Sequence, residues 1–340
     1  MSAPVPPRGA SIPIGVYRGR GCGAAAIERY EEFLGRPVDY VLDFMAESPS
    51  SWAQFEAGCL TAGAGVSAWR GQLGDRRLVL GVPACCLGSG WADEAAGRND
   101  SHWSALGSRL VSLGFGDAVL RVGREMNGSW YTWAVGEGGQ AAYISGYRHV
   151  VSVLRAIPGA SFRFCWSPYI GTGTLPSSGT ESAYPGDAYV DEIGVDVYDG
   201  DWSGIYGGPA DAITTTQQQQ VWDRLLTEWD SLRGWYHLAL SHGKPLCFPE
   251  WGLRLWRDAG AYHGGGDNAV LVQGMAEFIT GSGAAWHAMW EDPWAPASAT
   301  LTPSPAGPSP SRWPAPRSLP HSAAKGTNSV IAPFPPQRAA

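Results

Sequence analysis

The stretch from residue 118 to residue 128 reads AVLRVGREMNG. A short, mostly apolar run is followed by a glycine and then by a cluster of polar side chains. Apolar runs of this length that are bounded by turn residues are typical of buried strands. The stretch therefore predicts a buried strand whose C-terminal end lies close to Arg124, Glu125 and Asn127.

Seven similar apolar runs recur along the chain, and loops rich in Gly, Pro or Asp follow them. The eight predicted strands are residues 12–17, 40–44, 78–82, 118–122, 161–166, 192–197, 245–249 and 284–290. Segments with helical periodicity lie between them, at residues 24–34, 101–113, 140–156, 219–241 and 268–281. This alternation predicts an α/β fold with a parallel sheet, and the 340 residues exceed the roughly 250 that a (β/α)8 TIM barrel needs. We therefore predict a TIM barrel at residues 11–294, after a flexible N-terminus at residues 1–10.

The composition changes abruptly after Pro293, where Ala, Pro, Ser and Arg dominate up to Ala340. Apolar periodicity is almost absent from this part of the chain, so it cannot build a core. We expect residues 295–340 to form a disordered Pro/Ala/Ser-rich C-terminal tail. A shifted reading frame that replaced the last helix of the barrel is the alternative.

Charge and hydropathy exclude several classes of partner. The formal net charge is −7 and Lys and Arg form no run, so nucleic acid is not an expected partner. A membrane-spanning helix needs about 18 consecutive apolar residues, and no apolar stretch is that long, so no membrane partner is expected either. The polar, Pro-rich segment after Met1 lacks the apolar region of a signal peptide. This predicts a cytoplasmic location, with secretion as the alternative that polysaccharide degradation would favour.

Six cysteines occur without CxxC or Cys/His ligand spacing, and no DxDxDG calcium loop is present. The cysteines are Cys22, Cys59, Cys85, Cys86, Cys165 and Cys247. We interpret them as buried thiols, so we expect no disulfide framework, no metal and no obligatory cofactor.

Two glutamates follow predicted strands: Glu125 follows the fourth and Glu250 follows the seventh. Active sites of such barrels lie at the C-terminal strand ends, where strands four and seven face each other across the mouth. Retaining cleavage of a glycosidic bond needs two carboxyl groups roughly 5 Å apart, one protonated and one ionised. A single glutamate after a strand is a surface or helix-capping carboxylate about as often as it is a catalytic one. The pair together favours catalysis.

Four segments resemble glycoside hydrolase family 26, whose best-known members are endo-β-mannanases. Residues 121–133, RVGREMNGSWYTW, resemble the acid/base signature of that family. Similar blocks are YPGDAYVDEIGVDVY at 184–198, PEWG at 249–252 and FCWSP at 164–168. The resemblance runs in order from about residue 15 to residue 294.

The resemblance implies a retaining, endo-acting hydrolase of β-mannan or a related β-linked glycan, with a polysaccharide or oligosaccharide as partner. It makes Glu125 the acid/base and Glu250 the nucleophile. It also makes Tyr198 a hydroxyl that hydrogen-bonds the nucleophile and keeps it ionised. The sequence gives no indication of oligomeric state.

One position departs from the family pattern, because Arg124 stands where the family usually has His. A guanidinium next to Glu125 would lower the pKa of that carboxyl, which is unfavourable for an acid catalyst. This effect on Glu125 would not arise if the side chain of Arg124 pointed at substrate or at another carboxylate. The departure suggests a divergent branch with a different sugar next to the point of cleavage.

The 17 Trp residues exceed what a core of this size needs, and exposed indole faces stack on sugar rings, although any single Trp can equally pack the barrel. The candidates just beyond strand ends are Trp130, Trp133, Trp166, Trp251 and Trp290, with Trp290 and Trp133 the strongest. Further candidates for the mouth are His102, Asp43, Glu47, Asp196, Arg18, Arg124 and Asn127. His102 is equally a surface histidine, Asp196 is equally a buried structural carboxylate, and Arg18 is expected to orient a neighbouring carboxylate.

Three alternatives remain open. A metal hydrolase has little support from the spacing of the seven His residues. A non-catalytic carbohydrate-binding barrel would keep the Trp-rich cleft, but it does not require both carboxylates. A hydrolase of a bacterial envelope glycan would share the mechanism, because loops rather than the fold decide the substrate.

Overall fold

The computed structural model describes residues 11–45, 49–60, 65–86, 88–201, 203–207, 212–227, 230–253, 257–258 and 261–291. All of them belong to one compact unit, Met1–Thr302. The expected flexible N-terminus at 1–10, the expected tail at 295–340 and the candidate Glu47 lie outside the described residues.

Eight parallel strands close into a barrel, which confirms the predicted TIM barrel. In chain order the strands are β1 Ile14–Tyr17, β2 Tyr40–Phe44, β3 Arg77–Val82, β4 Val119–Val122, β5 Arg163–Trp166, β6 Glu192–Gly194, β7 Val197–Tyr198, β8 Leu246–Gly252, β9 Arg257–Asp258, β10 Ala261–Tyr262 and β11 Trp286–Trp290. Strands β1 to β6, β8 and β11 form the barrel, and β11 closes it by pairing with both β8 and β1. The short β7 continues the line of β6 and pairs with the end of β8, while β9 and β10 form a separate hairpin.

Two layers of apolar side chains explain why the strand sequences are almost uninterrupted in hydrophobicity, since each strand is covered on both faces. One set fills the barrel and includes Phe44, Val79, Cys165 and Trp286. The barrel interior is packed so closely that a Cβ atom at Gly81 would lie 2.3 Å from the Phe44 ring. The second, larger set packs the outer faces of the strands against the helices.

The helices largely follow the predicted pattern. They are α1 Ala24–Leu34, α2 Trp52–Leu60, α3 Trp91–Ala95, α4 Asp100–Ser112, α5 Gln140–Arg155, α6 Thr215–Thr227, α7 Leu232–Ser241 and α8 Ala269–Ser282. Helix α8 ends at Gly283 in the left-handed conformation, two residues beyond the predicted end of this helix at Gly281. None of the described helices combines the length and the apolar character needed to cross a bilayer.

The single helix predicted at 219–241 is wrong, because the structure has two helices there. Asp230 adopts a positive φ of 53°, and the hydroxyl of Ser231 accepts a hydrogen bond from the Gly234 amide and caps α7. A capping serine begins a new helix at a point that continuous apolar periodicity conceals. Helices α2 and α3 were not predicted at all.

Candidate active site

A cavity of about 820 Å³ opens at the C-terminal ends of the barrel strands. The predicted residues that line it are Arg124, Glu125, Trp130, Asp196, Tyr198, Glu250 and Trp290. The fold therefore brings together both glutamates, Tyr198, two of the five tryptophans and the arginine that departs from the family pattern.

Glu125 stands on a strained turn immediately after β4. Its φ is 50°, a left-handed value that is uncommon for residues other than glycine. The turn is held because the Glu125 amide donates to the carbonyl of Ser167, at 2.7 Å, beyond the end of β5. The indole Nε1 of Trp130 donates to Oε2 of Glu125 at 3.1 Å. Strain of this kind persists where surrounding structure enforces it, and it is common at functional sites.

Glu250 lies inside β8 rather than after it, so its backbone is fixed by the sheet. The Tyr198 hydroxyl donates to Oε2 of Glu250 at 2.8 Å, and Nη1 of Arg121 donates to Oε1 at 2.5 Å. Nε of Arg124 lies 3.6 Å from the same Oε1. Glu250 is therefore a buried carboxylate that faces two guanidinium groups and one phenol.

The two glutamates have opposite electrostatic environments. Burial, followed by the charge of Glu250, raises the pKa of Glu125 to about 7, and the nearby Arg124 only partly opposes this. Burial also acts to raise the pKa of Glu250, but Arg121 and then Arg124 outweigh it, so that the pKa lies below its ordinary value. Near neutral pH the cavity thus holds one carboxyl that can carry a proton and one that is ionised.

Arg121 was quoted in the sequence motif but was given no role there. It is fully buried and donates to Oγ of Ser167 from Nε at 2.9 Å and from Nη2 at 2.7 Å. It also donates to Oδ2 of Asp196, so one guanidinium joins Asp196 to Glu250. Burial raises the pKa of Asp196 well above its ordinary value although Arg121 opposes it. The sequence did contain a signal for this role, namely a single arginine inside an apolar strand. A buried charge needs partners, so such an arginine predicts an ion pair inside the barrel.

Arg124 realises the exception considered from the sequence, since it points at another carboxylate. Its guanidinium carbon lies 4.4 Å from the centre of the Phe44 ring and 4.9 Å from that of Tyr131. Nη2 donates to the Tyr131 hydroxyl at 2.9 Å, while Nε faces Glu250. Arg124 still acts to lower the pKa of Glu125, but burial and the charge of Glu250 outweigh it, so the expected net lowering is not found.

Trp130 and Trp290 are the two tryptophans that reach the cavity. Trp130 is 53% exposed, and its ring centre lies 5.0 Å from that of Tyr169. Trp290 packs on Tyr17 with ring centres 4.1 Å apart. Each indole is thus braced by a second ring, which suits a flat stacking surface.

The structure does not bring Trp133, Trp166 and Trp251 into the cavity, because all three are buried outside the barrel interior. Their Nε1 atoms donate, respectively, to the Arg124 carbonyl, to the hydroxyl of Tyr143 and to Nδ1 of His287. Side chains alternate along a strand, so the residue next to one that faces the barrel interior points towards the helices. Trp251 follows Glu250 and obeys this rule.

Asn127, His102 and Asp43 are also absent from the cavity lining. Asn127 is fully buried and holds the loop after β5 through both the amide and the carbonyl of Tyr169. The three side chains are satisfied within the protein, since His102 contacts Glu56 and Asp43 accepts from the Trp69 indole.

Arg18 pairs with Glu291 at 3.2 Å. This agrees with the expectation that Arg18 orients a neighbouring carboxylate.

Several residues of the cavity wall were missed. They include Tyr131, Tyr169, Asp201, Arg224 and Asp230, of which Arg224 comes from helix α6 and the others from loops. Arg224 pairs with Asp201 at 3.4 Å. Neither periodicity nor strand ends identify such residues, because the path of each loop decides which of its side chains face the cavity.

One group among the described residues has side chains of the metal-binding type, namely Cys165, Glu192 and Cys247, with ligand atoms within 4.8 Å of one another. The group lies in the barrel interior, and Glu192 already pairs with Arg163 at 2.5 Å and accepts a bond from Trp286. It does not line the cavity. The thiols of Cys165 and Cys247 are 3.6 Å apart, and both cysteines are free.

Residues 117–221 match the family model described as glycosyl hydrolase family 26. Endoglucanase H of Acetivibrio thermocellus is 25% identical over 195 residues, which cover 55% of this chain and 20% of that protein. A mannan endo-1,4-beta-mannosidase of Bifidobacterium adolescentis is 33% identical over 86 residues, which cover 24% of this chain and 8% of that protein. The chain thus spans a fifth or less of the length of these curated relatives.

Solved structures agree on the fold. A modular endo-beta-1,4-mannanase from Cellulomonas fimi superposes with a TM-score of 0.60 at 18% identity and covers 87% of this chain and 68% of its own. The Bacillus subtilis mannanase BCman superposes with a TM-score of 0.54 at 16% identity and covers 87% of this chain and 85% of its own. At these identities the likeness shows the barrel architecture.

Proposed function

The chain is a divergent member of glycoside hydrolase family 26, and from this premise we propose that it is a retaining, endo-acting glycosidase of β-mannan or a related β-linked glycan. One observation carries the proposal. Two buried glutamates line a single cavity at the barrel mouth, and their surroundings favour a proton on Glu125 and a charge on Glu250. This is the division of roles that double displacement requires.

In the first step, a carboxylate oxygen of Glu250 attacks the anomeric carbon as the glycosidic bond breaks. Glu125 gives its proton to the departing oxygen, and a covalent glycosyl ester forms on Glu250. In the second step, Glu125 takes a proton from water, the water oxygen attacks the anomeric carbon, and the ester bond breaks. Two inversions leave the configuration of the sugar unchanged.

The surroundings of Glu250 support its role as the nucleophile. Tyr198 and Arg121 donate to different oxygens of the carboxylate, so its plane and its charge are fixed before substrate arrives. Hydrogen bonds to the ionised form favour that form and orient the attacking lone pair.

The aromatic walls support a polymeric substrate. Trp130 donates a hydrogen bond to Glu125, and Trp290 lies at the end of β11, which pairs with β8, the strand of Glu250. An indole face takes the apolar face of a pyranose, so the two residues would hold sugars on both sides of the scissile bond. Mannan is favoured as substrate because the Bifidobacterium adolescentis and Cellulomonas fimi proteins are mannanases by name, whereas the relative from Acetivibrio thermocellus is named an endoglucanase.

The test is release of reducing sugar from a panel of mannans, β-glucans, xylans and arabinans by the wild type, Glu250→Ala and Glu28→Ala. Glu28 is an exposed glutamate of α1 and serves as the matched control. We expect activity on one polymer class that Glu250→Ala abolishes and Glu28→Ala retains. A folded wild type that binds these polymers and cleaves none would instead support a non-catalytic carbohydrate-binding barrel.

A further inference from the structure

We infer that Arg124 is a positioning residue that places a second, permanently charged guanidinium beside Glu250 and so supports both displacement steps. The inference rests on the proposed function, because it assigns Glu250 as the nucleophile. It concerns the position at which this chain departs from the family pattern.

Packing fixes the guanidinium of Arg124. It lies between the rings of Phe44 and Tyr131, and the Tyr131 hydroxyl accepts from Nη2 at 2.9 Å. The ring of Trp133 stacks on that of Tyr131 with centres 4.3 Å apart, and the Arg124 guanidinium carbon lies 6.0 Å from the centre of the Trp133 ring, so Trp133 holds Tyr131 in place beside the arginine. A Cβ atom at Gly81 would come within 3.3 Å of Cδ of Arg124 as well as clashing with Phe44. The glycine therefore leaves the space that the arginine and Phe44 share.

Arg121 alone does not explain the environment of Glu250, because its donors are divided among three partners. Ser167 takes two of its hydrogen bonds and Asp196 takes another. Arg124 adds a second positive charge 3.6 Å from Oε1, in a place where protein has replaced water and charges interact strongly. Two guanidinium groups thus face one nucleophilic carboxylate.

Among the residues that the structure describes, the charged and titratable groups recorded against Glu250 come from β4, from the turn after it and from β7. Arg121 on β4 and Arg124 after β4 supply positive charge, Tyr198 on β7 supplies a hydrogen bond, and Glu125 supplies the opposing negative charge. Asp196 lies behind Arg121 and draws on the same guanidinium. Removal of Arg124 would leave the charge of Glu250 balanced by Arg121 alone, which Asp196 shares.

This arrangement affects each step differently. Before attack, the second guanidinium keeps Glu250 ionised. In the ester intermediate the charge of Glu250 is lost, and the unbalanced guanidinium then favours departure of the carboxylate in the second step. Arginine stays protonated throughout the working pH range, whereas a histidine in its place would lose its charge near pH 6.5.

The kinetic test compares the wild type with Arg124→Gln, Arg124→Lys and Arg124→His on the polymer that the wild type cleaves. Arg148→Gln is the matched control, because Arg148 also lies over a ring, that of Tyr189 at 5.4 Å, and does not line the cavity. We expect Arg124→Gln to lower kcat by about 10–100-fold, with KM changed much less, and to move the acid limb of the pH profile upward. Arg124→Lys should recover part of the rate, and Arg124→His should lose activity as its imidazole deprotonates.

A second measurement needs no substrate. The charge of Glu250 contributes stability above its ordinary pKa, and this contribution is lost as the pH falls through its lowered pKa in the folded protein. The difference in unfolding free energy between the wild type and Glu250→Gln, measured from about pH 3 to pH 6, locates that loss. The same comparison is then made in proteins that also carry Arg124→Lys or Arg124→Gln. We expect the stabilising contribution of the Glu250 charge to be lost at a higher pH in the Arg124→Gln protein than in the Arg124→Lys protein.

The two measurements separate the possible failures. Absence of hydrolysis by a folded wild type contradicts the proposed function, while the stability measurement still reports whether Arg124 acts on Glu250. Unchanged acid limbs and an unchanged titration of Glu250 in folded Arg124 variants would overturn the inference even if the enzyme cleaves mannan.

Discussion

The buried charges beneath the cavity make a quantitative prediction about Arg121. The substitution Arg121→Met keeps much of the volume and removes all of the donors. Asp196, which is 1% exposed, then loses its guanidinium partner, and Glu250 keeps only Tyr198 and Arg124. Removing one partner of a buried ion pair typically costs about 3–5 kcal/mol, because the other charge remains buried. We expect a loss of this size in the free energy of unfolding at pH 7.

The matched control is Arg77→Met, the same change at a half-exposed strand residue that pairs with Asp117 at 3.1 Å. Exposed pairs contribute at most about 1 kcal/mol, so this variant should lose little. Urea unfolding followed by tryptophan fluorescence gives both values.

The pH dependence provides the sharper test. In Arg121→Met both carboxylates lose a neighbouring positive charge and become harder to ionise, so we expect that protonating them inside the folded protein costs little near about pH 4.5, close to the ordinary pKa of a carboxyl group. The loss relative to the wild type should therefore be much smaller at that pH than at pH 7. A loss no larger than that of Arg77→Met, or one of equal size at both pH values, would refute this account of the buried network.

Three further predictions concern the cavity. Hydrolysis of the polymer should fall as the pH rises through about 7, because Glu125 must be protonated to release the leaving group. With activated aryl glycosides, Glu125→Ala should no longer show this loss of activity on the alkaline side of the pH profile. If the alkaline loss persists in that variant, it belongs to another group. Tyr198→Phe should lower kcat by about tenfold or more in a folded protein, as expected for one hydrogen bond to a charged group, and an unchanged kcat would remove Tyr198 from the mechanism. Trp130→Ala should raise KM with little change in the free energy of unfolding, because Trp130 lines the cavity and is exposed. Trp133→Ala should lower the free energy of unfolding by about 3–5 kcal/mol, because Trp133 is buried in the core. Equal losses of stability in the two variants would contradict the assignment of Trp130 to the cavity and Trp133 to the core.

The barrel was predictable because its strands are covered on both faces. Every predicted strand overlaps an observed one, since a strand such as β2 must be apolar throughout to fit between the barrel interior and the helices. The helix at 219–241 was misread because its apolar periodicity continues across the break at Asp230 and Ser231. The Asp-Ser pair there is a helix-start signal that outweighs the periodicity.

The sequence placed both glutamates at the barrel mouth, where they line the cavity, but it also placed there three tryptophans that the structure buries elsewhere. Position just past a strand end says nothing of direction, whereas alternation along the strand does. Cys165 faces the barrel interior, so Trp166 must face the helices, and the same holds for Trp251 beside Glu250. The directions of Trp166 and Trp251 could thus have been derived, whereas Trp133 lies in the loop after β4, which strand alternation does not describe.

The network of buried charges was harder to predict from the sequence. A buried Arg121 was readable as a residue in need of partners, but which carboxylates it joins depends on strands far apart in the chain. The environment of Arg124 depends likewise on Phe44, which lies on β2, far from Arg124 in the chain. Only the closed barrel brings these groups together.

The central claim is that Glu250 becomes covalently bound to the sugar, and trapping tests it most directly. A 2-deoxy-2-fluoro-β-mannoside or β-glucoside with a dinitrophenyl leaving group should inactivate the protein, since the fluorine slows the second step more than an activated first step. Peptide mass spectrometry should then find one fluorosugar on the peptide that contains Glu250, and no label in Glu250→Ala. Label on another carboxylate, or rapid turnover of the polymer with no trapped adduct from either sugar, would contradict the account.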